Sequence, residues 1–230
     1  MKCPKCKSER IVKDGKAKGK QRHLCKVCGY RHTVEYKGKP PEIKRLALQM
    51  YLEGFGFRSI GRILKVSNVA VMKWIKSFGE QVEKIRKEDA AKIIEMDEMH
   101  TYIQSKKNYC WIWIAVDRLG KRYIHFVLGT RGTETGIKLW ETIKDRSGQS
   151  TIMTDYWKAY EEFLSAERYI CSKAETYTVE SYNSILRHFL ARLRRKEKCY
   201  SKSQQMLHYS LLPLMAKRNN ELSIIELSII

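Results

Sequence analysis

The sequence predicts a multidomain protein with a small cysteine-rich module at the N-terminus, an all-α segment behind it, and a mixed α/β domain over the rest. Three observations support this prediction. Two closely spaced cysteine pairs fall within the first 28 residues, apolar residues then recur at helical spacing, and from residue 92 onward β-type runs alternate with helical ones. The 230 residues suit one or two domains of ordinary size.

The composition is strongly basic. The chain carries 45 Lys and Arg against 25 Asp and Glu, a formal net charge of +20 at pH 7. This excess is spread over several segments, which indicates a polyanionic partner and favours nucleic acid over a membrane surface. The longest apolar run, residues 110–116, is far shorter than the ~20 residues of a membrane span. The N-terminus has no apolar signal region, so we expect an intracellular protein without a membrane partner.

The N-terminal module, residues 1–37, contains the pairs Cys3-x2-Cys6 and Cys25-x2-Cys28, with eighteen residues between them. In this spacing two tight turns each present two thiolates to one tetrahedral Zn²⁺ ion, as in a zinc ribbon. Because four thiolates leave no open coordination position, we expect one zinc ion with a structural role. Two disulfides or a chance arrangement are the alternatives.

The N-terminal region is basic, and three cysteines lie outside the two pairs. Residues 1–40 carry thirteen Lys and Arg against three Asp and Glu, so we expect this module to hold phosphates. Three other cysteines have no evident partner. Of these, Cys110 and Cys171 lie in apolar, strand-like runs and are expected in the core, whereas Cys199 does not.

Residues 41–80 are predicted to form an all-α helix-turn-helix domain after a linker at 38–41. Apolar spacing predicts helices at 42–52, 59–64 and about 68–78. In this motif the third helix lies in the major groove of DNA, with Asn68 and Lys73 facing the bases and phosphates. A helical hairpin used for dimer contacts is the alternative. The Lys- and Glu-rich stretch 81–91 is expected to be a linker helix.

Residues 92–215 are predicted to form a mixed α/β domain with a five-stranded sheet. Three β-type runs joined by short polar links predict an antiparallel meander at 92–103, 109–117 and 122–128. A helix at 133–144, a strand at 151–154, a helix at 157–164 and a later acidic helix follow. This is the element order of ribonuclease H-like nucleotidyl transferases, in which the first and fourth strands run side by side.

Three carboxylates in this domain are candidate ligands for catalytic metal ions. Asp97 interrupts an apolar strand, Asp155 ends the fourth strand, and Glu180 opens an amphipathic helix. Because side chains alternate along a strand, Glu98 points away from Asp97, and only one of the two can join a cluster. Mg²⁺ prefers such oxygen ligands, and two ions together promote phosphoryl transfer. The alternative is that these acids are ordinary surface charges.

Two neighbouring features refine the candidate site. Glu180, Asn183, Ser184 and Arg187 follow the i, i+3, i+4, i+7 rule and share one polar helix face, which would turn toward the site. Asp117 is a further candidate acid, but its position before a Leu-Gly turn favours a structural cap.

Several motifs together resemble one protein family over about residues 1–215. They are the two cysteine pairs, the helix-turn-helix pattern, the phrase Glu95-Met-Asp-Glu98, the strand 111–117, the phrase Thr154-Asp-Tyr-Trp157 with Tyr160, and the block 179–203. They look like a transposase of the insertion sequence one (IS1) family.

The resemblance implies a DDE transposase with a ribonuclease H-like catalytic domain. Its acidic triad would be Asp97, Asp155 and Glu180, which would hold two Mg²⁺ ions, with Mn²⁺ as a possible substitute. Arg187 matches the basic residue that such enzymes place two helical turns beyond their glutamate, and Asn183 would assist on the same face. A set of arginines further along is expected to contact DNA or, alternatively, to form a solvated basic face. This set is Arg192, Arg194 and Arg195.

The implied activity is binding of the terminal inverted repeats of an insertion sequence, cleavage at the element ends, and joining of the 3′ ends to target DNA. The partners would be double-stranded DNA and further copies of the chain, at least as a dimer, in a prokaryotic cytoplasm in association with the nucleoid. The alternatives are a DNA-binding regulator or inactive derivative without catalysis, and a plain nuclease. The apolar C-terminal tail, 216–230, departs from the family pattern.

Overall fold

The computed structural model describes six ranges of the chain: residues 2–17, 19–33, 39–85, 90–148, 150–196 and 199–222. The chain divides into two compact units, residues 1–40 and 41–230, and each is described by itself. Several predicted segments lie partly outside the described residues, among them the N-terminal module at 1–37, the linker at 38–41, the linker helix at 81–91 and the C-terminal tail at 216–230.

The smaller unit is a three-stranded antiparallel sheet of β1 (Ile11–Ala17), β2 (Lys20–Cys25) and β3 (Arg31–His32), in that order. Each cysteine pair lies in a tight turn. The Lys7 amide donates to the Cys3 carbonyl, and the Gly29 amide donates to the Cys25 carbonyl, both at 2.9 Å. Gly29 has a φ of 69°, a left-handed conformation that costs glycine little because it has no Cβ.

The larger unit begins with three helices, α1 (Pro41–Leu52), α2 (Phe57–Ile63) and α3 (Asn68–Ile85). The turn between α2 and α3 is tight, because the Val66 amide donates to the Gly61 carbonyl at 2.9 Å. A Cβ on Gly61 would lie 2.8 Å from the Val66 carbonyl oxygen, so the turn requires glycine there. The three predicted helices are confirmed, and α3 continues past its predicted end at residue 78.

A mixed five-stranded sheet forms the centre of the larger unit, as predicted. Its strands are β4 (Ile93–Tyr102), β5 (Tyr109–Asp117), β6 (Arg122–Gly129), β7 (Thr151–Thr154) and β8 (Tyr169–Cys171). The spatial order is β6-β5-β4-β7-β8. β4, β5 and β6 form the antiparallel meander, whereas β7 pairs in parallel with both β4 and β8. The predicted adjacency of the first and fourth strands of this sheet is therefore confirmed.

Helices cover both faces of the sheet. Because side chains alternate along a strand, β5 contributes residues to the cores on both faces. The α-helices here are α4 (Thr133–Ser147), α5 (Tyr177–Phe189) and α6 (Gln204–Arg218), and short 3₁₀ helices span Lys158–Glu162, Lys173–Glu175 and Ala191–Leu193. Trp113 packs in one core with Leu139 of α4 and with Tyr160. Ile112 packs in the other core, which also contains residues of α1, α2, α3, α5 and α6.

The three N-terminal helices of this unit are joined to the sheet through α6, which packs against α3. A Cβ on Gly79 of α3 would lie 2.5 Å from the Tyr209 carbonyl oxygen of α6, so the two helix backbones approach closely there. None of the helices in the described ranges combines the length and apolarity needed to cross a bilayer. The boundaries predicted inside this unit, at residues 80 and 92, stay predictions.

Several local features of the structure differ from the expectations or were not predicted. The helix expected at 157–164 is only a short 3₁₀ helix at Lys158–Glu162. Neither β8 nor α6 was located from the sequence. The amphipathic helix expected to open at Glu180 begins three residues earlier, because α5 spans Tyr177–Phe189. Cys110 is buried as expected, whereas the prediction for Cys171 is wrong: it is half-buried, because it lies at the end of the edge strand β8.

Candidate active site and metal centre

The four cysteines of the smaller unit converge on one point. Their Sγ atoms all lie within 4.8 Å of one another, and the pairs Cys3–Cys28 and Cys6–Cys25 are each 3.6 Å apart. Hydrogen bonds from the backbone amides of Cys28 and Val27 lower the pKa of the Cys25 thiol to about 6 against the opposing effect of burial. A set of four such sulfur atoms, one of them readily ionised, fits a tetrahedral zinc ion.

In the larger unit, two of the three predicted acids lie side by side at the centre of the sheet. Asp97 is in β4 and Asp155 directly follows β7. Each lies two residues beyond the last pair in the parallel register, Glu95 with Met153. The Asp155 carboxylate is fixed, because its Oδ1 accepts a hydrogen bond from the Trp157 amide at 3.0 Å.

Asp97 is crowded by negative charge. Burial raises the pKa of its carboxyl to about 7, and the nearby Glu98 and Asp155 carboxylates add to this effect. The Asn183 side-chain amide of α5 donates to Asp97 Oδ2 at 2.6 Å and favours the ionised form. Burial and the neighbouring carboxylates both disfavour the ionised form of Asp97, and a bound cation would relieve the repulsion between these carboxylates.

Glu180 joins the site from α5. It lies in the first turn of that helix and lines a cleft of about 720 Å³ together with Asp97, Asn183 and Arg187. The polar helix face predicted from the sequence therefore opens into the cleft that borders Asp97. Among the described residues, only the cysteine set is already close enough to share one metal ion. The three acids border one region but do not form such a cluster.

The basic residues that follow Glu180 occupy different positions. Arg187 is half-buried, where burial and the nearby Arg195 lower the pKa of its guanidinium while Asp97 opposes the shift. Arg194 and Arg195 line the same cleft. Arg192 instead donates to the Ser201 hydroxyl at 2.7 Å and lies over the Phe57 ring. Of the predicted arginines, Arg187 is the one on the same helix as Glu180 and Asn183, and its guanidinium is close enough to Asp97 for the two charges to interact.

Glu98 lies on the other face of β4, as strand alternation requires, yet it interacts with Asp155. Its side chain is only 1% exposed and accepts a hydrogen bond from Arg131 Nε at 3.3 Å. Burial raises the pKa of this carboxyl, and Asp155 raises it further, while the Tyr160 hydroxyl and Arg131 oppose the change. Asp155 therefore interacts with an acid on each face of the sheet, which the sequence analysis did not predict.

A second buried acid, Glu95, holds the helix that carries Glu180. Its carboxylate is 0% exposed, accepts a hydrogen bond from the Val179 amide at 2.8 Å, and forms an ion pair with Arg118. Arg118 also donates to Glu175 Oε2 at 2.8 Å. The sequence contained a signal for Glu95, because it is an acid within an apolar strand and is costly to bury without a partner.

The remaining predicted positions lie apart from the cleft. Asp117 accepts a hydrogen bond from the Gly120 amide at 2.9 Å and one from Arg122 Nε at 3.2 Å, which agrees with the turn cap that was expected. Asn68 and Lys73 of α3 are exposed. Asn68 also borders a basic groove of about 550 Å³ at the α2–α3 turn, to which Arg58, Arg62 and Lys65 contribute.

Comparison with known proteins identifies the class of protein. A family model described as IS1 transposase matches residues 91–217, more than half of the chain. The chain therefore belongs to the IS1 transposase family, and the resemblance seen in its motifs is confirmed.

The relatives match about half of the chain. The chain is 37% identical over 112 residues to the insertion element IS1 4 protein InsB of Escherichia coli strain K12, covering 49% of this chain and 66% of that protein. It is 34% identical over 114 residues to the InsB protein of Shigella flexneri, covering 49% and 85%. A solved structure of a pre-cleavage Mos1 transpososome matches with a TM-score of 0.31 and 10% identity over 86% of this chain and 82% of that one. This similarity is too low to support a conclusion about fold or function.

Proposed function

We propose that this protein is a DNA transposase that binds the terminal inverted repeats of its insertion sequence, cleaves at the element ends and joins the 3′ ends to target DNA. The observation that carries the proposal is the parallel pairing of β4 with β7, which brings Asp97 and Asp155 together beside the cleft lined by Glu180. All three acids lie in the region that matches the IS1 transposase family. Membership of this family supports DNA as substrate and partner.

Asp97, Asp155 and Glu180 would hold the divalent ions of such an enzyme. Their donor set of carboxylate oxygens suits Mg²⁺, and a bound cation would offset the repulsion of Asp97 by the nearby Glu98 and Asp155 carboxylates. When bound, two Mg²⁺ ions would supply Lewis-acid stabilisation and activate a water molecule or a 3′-hydroxyl. Mn²⁺ has similar ligand preferences and is expected to substitute.

The chain's own residues would prepare the site for phosphoryl transfer. Asn183 fixes one oxygen of Asp97 by its 2.6 Å hydrogen bond, and the Trp157 amide fixes one oxygen of Asp155. Arg187 lies in the same cleft, where a guanidinium would hold a DNA phosphate next to the acids. Glu95 holds the N-terminus of α5 and thereby sets the position of Glu180.

DNA recognition is assigned to the other basic surfaces. The groove at the α2–α3 turn, with Asn68 at its edge and Lys73 further along α3, is proposed to contact duplex DNA. The smaller unit, with a zinc ion held by its four cysteines, would add phosphate contacts. Because two element ends must be joined, we propose that the chain acts as a homo-oligomer on the cytoplasmic nucleoid.

The proposal is tested by strand transfer in vitro, with DNA carrying the inverted repeats that flank the gene as substrate. Wild-type protein is expected to cleave and join in Mg²⁺, whereas Asp155→Asn is expected to lose at least ~1000-fold in rate, because several kcal/mol of metal-assisted stabilisation are removed. Glu162→Gln is the matched control, since it removes an exposed carboxylate from the 3₁₀ helix that follows Asp155 and should leave the rate unchanged.

Specific binding of the repeats by wild-type protein without any cleavage would contradict the proposal and support a DNA-binding regulator. Cleavage without joining would support a plain nuclease. Equal activity of Asp155→Asn and wild type would show that the acids are not the catalytic ones.

A further inference from the structure

A continuous row of aromatic rings lies at the end of β4 and β5. We call it the aromatic strip, and it consists of Trp111, His100, Tyr102, Tyr109 and Tyr200. Ring centroids of neighbouring members are 5.0–5.8 Å apart, from His100 with Trp111 at 5.3 Å to Tyr102 with Tyr200 at 5.2 Å. These contacts hold each ring in place, so the strip is a preformed surface.

The pairing of the two strands explains why these rings share one face. His100 is directly opposite Trp111, and Tyr102 is directly opposite Tyr109, and side chains two residues apart on a strand lie on the same side. The strip is accessible to solvent. His100 is exposed and Tyr109 is 60% exposed. Trp111, Tyr102 and Tyr200 are half-buried. Rings that lie side by side and are at least partly exposed, unlike a single exposed ring, indicate a binding surface.

The surroundings of the strip are basic. A groove of about 330 Å³ is lined by His100, Tyr102 and Tyr200 together with six basic side chains: Lys106, Arg187, Arg192, Arg194, Arg195 and Lys196. No Asp or Glu of the described chain lines this groove. Burial, and then the nearby Arg187, Arg131 and Arg195, lower the pKa of His100. Its ring is therefore neutral near pH 7, which suits stacking rather than ion pairing.

Two sets of basic residues connect the aromatic strip to the acids of the proposed active site. Arg187, Arg194 and Arg195 line this groove and the acidic cleft alike. On the other side, the Arg131 guanidinium lies 4.7 Å from the Trp111 ring centroid and 4.0 Å from that of Trp157, whose amide binds Asp155. A DNA strand lying along the strip would thus lead directly into the proposed active site.

We propose that the aromatic strip stacks the bases of an unpaired DNA strand, with the arginines of the adjoining groove binding its phosphates. Flat rings next to a basic groove are the two elements with which proteins hold single-stranded nucleic acid. Bases within a duplex already stack on both faces and offer no free ring. The inference rests on the proposed function in one respect, since it assigns the splayed strand to the end of DNA entering the acidic cleft.

The test measures stacking directly and without catalysis. Zinc-loaded protein without added Mg²⁺ is titrated into a single-stranded 12-mer of thymidine with one central 2-aminopurine, and in parallel into the duplex of the same sequence. Quenching of 2-aminopurine and fluorescence anisotropy are recorded. Wild type is expected to quench the single strand and to leave the duplex signal unchanged.

Tyr109 gives a matched pair of variants because it is exposed and its replacement does not disturb a core. Tyr109→Leu, which removes the ring, is expected to weaken single-strand binding about tenfold and to reduce the quenching, as the loss of one base stack predicts. Tyr109→Phe, which keeps the ring, should bind as wild type does. Both variants should bind the duplex within twofold of wild type.

The proposal is overturned if Tyr109→Leu quenches and binds the single strand as well as Tyr109→Phe, or if it loses single-strand and duplex affinity equally. Failure of the proposed function is recognised separately, by absence of strand transfer. Intact stacking in a protein without strand transfer would support the strip and reject the transposase activity. Strand transfer with no stacking defect in Tyr109→Leu would do the reverse.

Discussion

Replacement of Glu95 by alanine is expected to destabilise the larger unit by about 3–5 kcal/mol. Its carboxylate is 0% exposed and accepts two hydrogen bonds, from the Arg118 guanidinium and from the Val179 amide at 2.8 Å. Hydrogen bonds that involve a charged group each contribute ~1.5–3 kcal/mol. The Val179 amide is also one of the first N–H groups of α5, which have no acceptor within the helix, and a negative charge is favourable there.

The loss is large because the partners left behind are buried. Without Glu95, the Arg118 side chain, 12% exposed, has Glu175 as its remaining carboxylate partner. The assay is urea unfolding followed by tryptophan fluorescence. All five tryptophans lie in residues 41–230, so the signal reports this unit and not the cysteine module.

Two controls separate the charge from the contacts. Glu95→Gln keeps an acceptor for the Val179 amide and is expected to cost less than Glu95→Ala. Glu175→Ala removes the other carboxylate partner of Arg118. Because the Glu175 side chain is 41% exposed, this change is expected to cost less than about 1 kcal/mol. If Glu95→Ala costs no more than Glu175→Ala, the reasoning about this buried network is refuted.

Three further predictions concern pH, zinc and helix packing. Burial and neighbouring carboxylates raise the pKa of Asp97 from 3.8 to about 7, so the metal-free folded protein keeps a proton that the unfolded chain releases. Its urea midpoint should therefore fall as the pH rises through that window. Asp97→Asn should reduce this dependence, and the part that remains is expected from Glu98, whose pKa is also raised. Cys25→Ser is expected to lose the zinc ion, because it removes one of four converging sulfur atoms. The measurement is zinc content after dialysis, and full retention of zinc by the variant would contradict the tetrahedral site. Gly79→Ala should destabilise by about 1–3 kcal/mol in urea unfolding, because its Cβ would lie 2.5 Å from the Tyr209 carbonyl oxygen; the exposed Ser77→Ala in the same helix is the control and should change stability by less than ~0.5 kcal/mol.

Local pattern was sufficient to locate most of the elements that build the site. β5 and β7 begin and end where the sequence predicted, because continuous apolar, β-prone runs bounded by turn residues mark them clearly. The three helices before the sheet followed from the 3.6-residue spacing of apolar residues. In the same way, the polar face of α5 was predicted from the spacing of Glu180, Asn183 and Arg187, and it lines the cleft.

The missed elements lack such a pattern. α6 is buried on several sides, from Met206 to Ala216, so it has no single apolar stripe, and Pro213 within it suggests a break to any sequence-based analysis. β8 is only three residues long and lies at the edge of the sheet. In both cases, the element is stabilised by contacts with distant segments rather than by its own periodicity.

The sequence by itself determined the four-cysteine module, the order of the elements from α1 to β7, and the presence of acids within apolar strands, where they are costly to bury. Only the tertiary structure decided which of those acids meet. The parallel pairing of β4 with β7 brings Asp155 next to Asp97, and Arg118 comes back from the next strand to neutralise Glu95. The physical reason is that periodicity fixes the direction of a side chain within its own element, whereas a shared site depends on contacts between residues far apart in the chain.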